Sequence, residues 1–231
     1  MKTRKYYSCL FFGKKDDYYS INAIKFLKKK FFKVRSILSE NKIGEKIDTK
    51  YLKDDKKYDY LFSFKTKIII PKKLLGKIKL YSINFHNCLS RYPGSGGNFM
   101  SLLNNEKFSG ITVHLIDEFV DNGKIFYIKK IRIKKKDNIK SLLRKINKEQ
   151  FRVFKFIVSN LRNKWLSRSL AHNQYSWGKK KYRMTDINKL REIRIDLVKN
   201  DIRKIKNIIK ASYPSQYPPY IKLLGFKFFL K

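Results

Sequence analysis

An asparagine, a histidine two residues on and an aspartate further along are the side chains of this sequence best suited to chemistry. Asn84 and His86 sit at the end of an apolar run, Leu80–Phe85, that reads as a buried strand. A glycine-rich loop, Pro93 to Gly97, and a short helical pattern through Leu103 follow. After Gly110 comes a second strand, Ile111–Ile116, which runs into an acidic loop carrying Asp117, Glu118 and Asp121 and closed by Gly123. An amide can donate to an oxygen gaining negative charge, a near-neutral imidazole can shuttle a proton, and a carboxylate can fix the imidazole's tautomer. Neighbouring strand ends form the ligand crevice of an α/β sheet. Delivered there, the three would support acyl transfer to an amine.

Each residue also has a plainer reading. His86 alone would be a satisfied core histidine; its spacing to Asn84 and to the Gly110–His114 stretch argues for catalysis. His114 lies mid-strand and reads as structural. Asp117 is either an alternate to Asp121 or a residue that shapes the loop, and Asn98 caps or braces the helix after the glycine loop.

The elements that must position these residues alternate. Tyr6–Phe12 is apolar and ends at Gly13. A helical pattern with Ile21, Ile24 and Leu27 follows, and Phe31–Leu38 is a second strand. Ser39–Lys57 reads as a loop with a short helix, Asp59–Phe64 as a third strand, and Pro71 opens a short helix ending near Gly76. Lys124–Ile133 adds a strand and Asp137–Leu166 a single long helix, capped by Asp137 or Asn138. Strand and helix in alternation predict an α/β fold with a doubly wound, mostly parallel sheet. Composition shifts after Trp165. Asp186–Ala211 is charged and helical, and the Pro/Tyr-rich end leads to a terminal hairpin about Gly225. The expected division is a catalytic domain over 1–175 and a small helix-plus-hairpin appendage over 176–231.

Composition narrows the classes. At 42% hydrophobic and 15% aromatic the chain can bury a core. No run approaches the ~18 apolar residues of a membrane span, and the apolar stretch near the start is too short for a signal peptide, so a cytoplasmic location is expected. Cys9 and Cys88 make no disulfide framework, and three histidines without a Cys-x-x-Cys argue against a structural zinc. The net charge of +38 would suit nucleic acid or an anionic surface. However, 44 of the 56 basic residues are lysines spread along the chain beside abundant Ile, Asn, Tyr and Phe. That favours compositional drift over a nucleic-acid partner.

Asn84-Phe85-His86, Gly97-Asn98-Phe99 before Asn104-Asn105-Glu106, and Gly110-Ile111-Thr112-Val113-His114 through Asp121-Asn122-Gly123-Lys124-Ile125 together resemble the folate-dependent formyltransferase family. The likeness covers the N-terminal two-thirds and implies a Rossmann-like fold. By that resemblance Asn84, His86 and Asp121 match the family's catalytic asparagine, histidine and aspartate. N10-formyltetrahydrofolate would lie against Ile68, Ile69 and Ile70 and against Ile116, Asp117 and Glu118, with no metal required. The loop Asn87–Gly94 is one residue shorter than the family's common P-S-L-L-P-x-Y-R-G and lacks its first proline, and the stretch from Ser39 to Ile70 is also shortened.

The ending, from Ile208 through Tyr217-Pro218-Pro219-Tyr220 to Phe226–Leu230, is most similar to that of sugar N-formyltransferases. The resemblance therefore implies a nucleotide-linked amino sugar, dTDP or UDP, as acceptor for surface-polysaccharide synthesis. Arg91, Tyr92 and Asn98 are candidates to touch that acceptor. Tyr175, Trp177 and Tyr182 would either stack on its base or pack the tail. The apolar tail would allow a homodimer. The alternatives are a shortened methionyl-tRNA formyltransferase and a non-catalytic relative that binds RNA through its lysines.

Overall fold

Strand β1, Tyr7–Lys14, is buried without a break from Cys9 to Gly13. Burial of consecutive residues needs cover on both faces, the situation of a strand inside a parallel sheet. The structure is a computed structural model describing residues 7–30, 32–40, 45, 47, 53, 56–161, 163–172, 174–194 and 201–231. Most of the loop expected over 39–57 lies outside the described residues, as does the middle of the charged region from 186.

Five further strands join β1: β2 (Phe32–Ser39), β3 (Tyr58–Phe64), β4 (Ile78–His86), β5 (Phe108–Leu115) and β6 (Ile125–Arg132), in the order β2-β1-β3-β4-β5-β6. The β1–β2, β1–β3 and β3–β4 pairs are parallel. The helices are α1 (Tyr18–Lys29), α2 (Lys72–Leu75), α3 (Gly97–Leu103), α4 (Ile139–Asn160), α5 (Trp165–Ala171), α6 (Met184–Leu190) and α7 (Ile202–Ser212). The mostly parallel, Rossmann-like sheet and the C-terminal hairpin are as the sequence leads one to expect.

One reversal is not visible in the alternation of elements: β5 runs antiparallel to β4. A parallel return would have to travel back along β4, about 30 Å at about 3.3 Å per residue. The one helix in the connection 87–107, the seven-residue α3, is about 10 Å long, too short to serve as the crossover helix of a parallel pair.

Contacts divide the chain into two compact units: 1–86, 112–128 and 148–175, and 87–111, 129–147 and 176–231. In the first, Phe154 of α4 packs against Phe11, Phe62, Phe64 and Phe85, with ring centroids 5.0–6.0 Å away. A separate cluster gathers Leu10, Phe12, Ile37 and Leu61 with Ile68, Ile70 and Leu74. Asp17 caps α1 by accepting from Ser20 N at 2.8 Å, and Lys65 Nζ lies 2.7 Å from its other oxygen. Burial alone would raise the Asp17 pKa; Lys65 and Ser20 outweigh it and hold the carboxyl below its usual range.

The single helix expected over 137–166 is two. Helix α4 ends at Asn160, whose Nδ2 donates to Phe156 O, and α5 restarts at Trp165. The break lets the Trp165 ring meet Phe126, Tyr127 and Phe156 edge-on, with centroids 5.2–6.4 Å apart. Aromatic packing here overrides a helical periodicity that runs on.

In the second unit Asn138, of the two expected candidates, caps α4, and Asp137 braces the turn before it. Asn138 Oδ1 accepts from Ser141 N and Ser141 Oγ accepts from Asn138 N, a reciprocal box. Asp137 accepts from Lys134 N, Ser141 Oγ and Lys145 Nζ. The glycine loop is stitched to a later segment by Gly178 N→Ser90 O, Tyr182 N→Pro93 O and Ser95 N→Tyr182 O. Gly94, at φ 86°, leaves no room for a side chain, since a Cβ would sit 2.4 Å from Tyr182 O. The end of the chain is a two-stranded hairpin, β7 (Tyr220–Leu223) and β8 (Phe226–Phe229). No helix among the described residues is long and apolar enough to cross a membrane.

Candidate active site

The β4–β5 register sets Asn84 opposite His114 and His86 opposite Thr112. Directly opposed residues of an antiparallel pair share a face, and so do residues two apart on one strand. Asn84, His86 and His114 therefore point the same way from the end of the sheet.

Asp121 arrives from the loop after β5. Asp117 shapes that loop: its Oδ1 accepts from Phe119 N at 2.9 Å and its Oδ2 from Asn122 Nδ2 at 2.8 Å. Leu115 N bonds Lys124 O, folding the chain back on itself. At Gly123 a Cβ would lie 1.9 Å from Leu115 O, so only glycine allows this closure. Asp121 itself adopts φ 45°, a left-handed conformation that aspartate tolerates better than most residues.

The four side chains converge. His86 Nδ1 is 3.2 Å from Asp121 Oδ2, and His114 Nε2 is 3.4 Å from Asp121 Oδ1. Asn84 Nδ2 is 3.0 Å from His114 Nε2 and 3.5 Å from Asp121 Oδ1. His86, His114 and Asp121 are buried, at 8%, 2% and 6% exposure, while Asn84 is half-buried. His114 Nδ1 lies 2.7 Å from Leu115 O. A carbonyl only accepts, so Nδ1 carries the proton, and in the neutral ring Nε2 accepts from Asn84. The two amide hydrogens of Asn84 are thus directed at His114 and, at longer range, at Asp121. His114, which strand position alone assigns a structural part, belongs to the cluster. The signal that could have found it is the antiparallel register.

The remaining expected residues are placed as follows. Ile68 and Ile70 are buried in the core and Ile69 between them is 66% exposed. Ile116 packs on the same cluster, and its N–H bonds Ser82 O. Lys72 Nζ pairs with Glu118 at 2.8 Å, tying the start of α2 to the acidic loop. Tyr175, at the end of the first unit, is 53% exposed.

Arg91, Tyr92, Asn98, Trp177 and Tyr182 belong to the second unit. Arg91 forks onto both oxygens of Glu106 at 2.8 Å. Tyr92 Oη donates to Glu106 and accepts from Asn104, and burial pushes its pKa up to about 12. Asn98 braces rather than caps. Its Nδ2 donates to Asn87 O and its Oδ1 accepts from Ser109, while the cap position of α3 is Gly96. Tyr182 pairs through its backbone with Gly94.

A family model described as Formyl transferase matches residues 28–157. Among curated proteins, the methionyl-tRNA formyltransferase of Thermodesulfovibrio yellowstonii is 38% identical over 80 residues, 34% of this chain and 26% of that one. The chain spans between 14% and 26% of the length of the first curated relatives it matches. Among solved structures, a 4-N formyltransferase from Francisella tularensis aligns with a TM-score of 0.76 at 21% identity, covering 96% of both chains. An N-formyltransferase from Helicobacter canadensis, in complex with folinic acid and dTDP-3-aminofucose, aligns with a TM-score of 0.71 at 21% identity, covering 96% of this chain and 86% of that one. At such identities the likeness is one of fold.

Proposed function

Because the chain belongs to the formyl transferase family, we propose that it is an N-formyltransferase moving the formyl group of N10-formyltetrahydrofolate onto the amine of a dTDP- or UDP-linked amino sugar. The observation that carries the reading is the convergence of Asn84, His86, His114 and Asp121 at the end of β4. The ligands of the Helicobacter canadensis protein, folinic acid and dTDP-3-aminofucose, support the choice of donor and acceptor.

Ile68–Ile70 and the loop 116–121 are the segments this reading gives to the reduced-folate ring. Exposed Ile69 stands between two core residues, and the Lys72–Glu118 pair ties the two segments together. The bound folate supplies the formyl carbon. Asn84 donates from Nδ2 to the oxygen that gains charge, giving up its 3.5 Å approach to Asp121 and keeping the shorter one to His114. Asp121 holds His86 through Nδ1 and favours its protonated form, so as the substrate amine bonds the formyl carbon His86 would take the amine's proton through Nε2 and return it to N10 of the folate when the C–N10 bond breaks, releasing tetrahydrofolate. His114 orients the amide of Asn84. In this reading Arg91, Tyr92, Asn98, Tyr175, Trp177 and Tyr182 belong to acceptor binding, and the product feeds surface-polysaccharide synthesis in the cytoplasm.

A homodimer through the hairpin is part of the same reading. Ile221 pairs with Phe228 and Leu223 with Phe226, giving one face of the hairpin that is exposed and uncharged. A lone two-stranded sheet is marginally stable in water, and a second copy would cover it.

The net charge of +38 favours a second reading, with aminoacylated tRNA as acceptor. Incubation with N10-formyltetrahydrofolate and either a panel of dTDP- and UDP-amino sugars or methionyl-tRNA separates the two. Formylation of a sugar amine supports the first reading, and formylation of the tRNA alone replaces it.

A further inference from the structure

Helix α4 buries a stripe at Ile139, Leu142, Ile146, Val153, Phe154 and Ile157, and one polar residue, Gln150, stands in it at 1% exposure. Its Nε2 donates to the carbonyl of Phe85 at 2.6 Å, while its Oε1 finds no hydrogen-bond partner among the described residues. An apolar side chain at this position would remove the orphaned Oε1 but release the buried Phe85 carbonyl, so one unpaired acceptor is exchanged for another. Stability therefore gives little net preference for an amide here.

The place of the accepting carbonyl gives a reason for one. Phe85 is the residue between Asn84 and His86, and it is the last residue of β4 in register with β3, opposite Phe64. Directly beyond, Lys65 turns into the left-handed region at φ 61°, and β3 ends. The last rung between β4 and β3 thus lies between the two reacting residues, and Gln150 bonds it from the helix. We propose that Gln150 is a positioning residue. By holding the Phe85 carbonyl it fixes the peptide planes on either side, and with them the directions in which Asn84 and His86 leave the strand. The inference rests on the formyl-transfer reading of that site.

The test compares Gln150→Leu and the closer isostere Gln150→Met with the unaltered protein. Both exchange one buried unpaired acceptor for another and so should shift the melting temperature by only a few degrees, while lowering kcat at least tenfold and leaving KM for folate and acceptor within about twofold. Gln150→Glu adds a pH signature. An ionised carboxylate repels the Phe85 carbonyl whereas the neutral acid donates to it, so its kcat relative to the unaltered protein should climb as pH is lowered. Unchanged kcat in the Leu and Met variants overturns the proposal, as does a fall in kcat that tracks a loss of melting temperature. The NMR signals of the His86 ring give a readout independent of turnover. If the unaltered protein transfers no formyl group, the functional reading fails by itself. Gln150 is then judged by whether Gln150→Met shifts those signals, which supports its role, or leaves them in place, which removes it.

Discussion

Asn84 and His114 face each other across the β4–β5 ladder, with amide nitrogen and ring nitrogen 3.0 Å apart. The proton on the far side of that ring is committed to a backbone carbonyl. With Nδ1 protonated, Nε2 of His114 can accept from Asn84. Asp121 Oδ2 then faces His86, and the amide has in His114 Nε2 an acceptor it can keep while bonding a substrate oxygen.

Coupling between the pair is the first expectation. Asn84→Ala and His114→Phe should each lower kcat by roughly ten- to a hundredfold, and the double variant should lose less than the product of the two. The interaction energy should fall within about 0.5–3 kcal/mol. Full additivity in the double-mutant cycle would show that His114 does not act through Asn84.

Removing the proton-transfer pair should cost more. His86→Ala and Asp121→Asn are each expected to reduce turnover at least a hundredfold, the scale of a positioned acid–base, with the circular dichroism spectrum unchanged. Near-normal formyl transfer in either would refute the assignment.

Gly123→Ala separates loop geometry from global stability. The added methyl would meet Leu115 O at 1.9 Å, so the loop must open. We expect a stability cost on the order of 2 kcal/mol but a kcat loss of at least tenfold, because Asp121 moves with the loop. Urea unfolding and turnover together read the two effects.

Acid should weaken the fold through Asp17 and Asp137. Burial would raise both carboxyls. The Lys65 and Ser20 bonds at Asp17, and those of Lys145, Lys134 and Ser141 at Asp137, outweigh it and hold both below the usual range. A carboxyl depressed in the folded state contributes stability above its unfolded pKa of about 3.9. That contribution is lost as pH falls through the folded value. Urea midpoints should hold from neutral pH to about 5 and fall below about 4, and Asp137→Asn should flatten part of the decline.

A charge on the hairpin tests the dimer. Phe228→Glu places a carboxylate on the face shared with Ile221, Leu223 and Phe226. Sedimentation velocity should show a dimer for the unaltered chain and a monomer for the variant; a monomer in both would dismiss this interface.

Most elements are legible from local pattern. The unbroken apolar run of β1, Pro71 before α2, the Asn138 cap and the turn at Gly225 all declare themselves within a few residues. The long helix misleads because its period continues past Asn160, while the preference of Trp165 for Phe126 and Tyr127 is a long-range contact.

For the site the division is similar. The order of residues along the chain determines that an amide and an imidazole two apart leave the same face of one strand, since side chains on a strand alternate with a period of two. It also determines that a glycine-closed acidic loop follows the next strand. Only the tertiary structure decided that this next strand runs antiparallel and brings His114 against Asn84. Only it set Asp121 between two rings and laid Gln150 on the carbonyl joining Asn84 to His86. Periodicity is a local property of the backbone, whereas the direction and register of neighbouring strands are set by which buried faces cover one another, and no short stretch of sequence contains that choice.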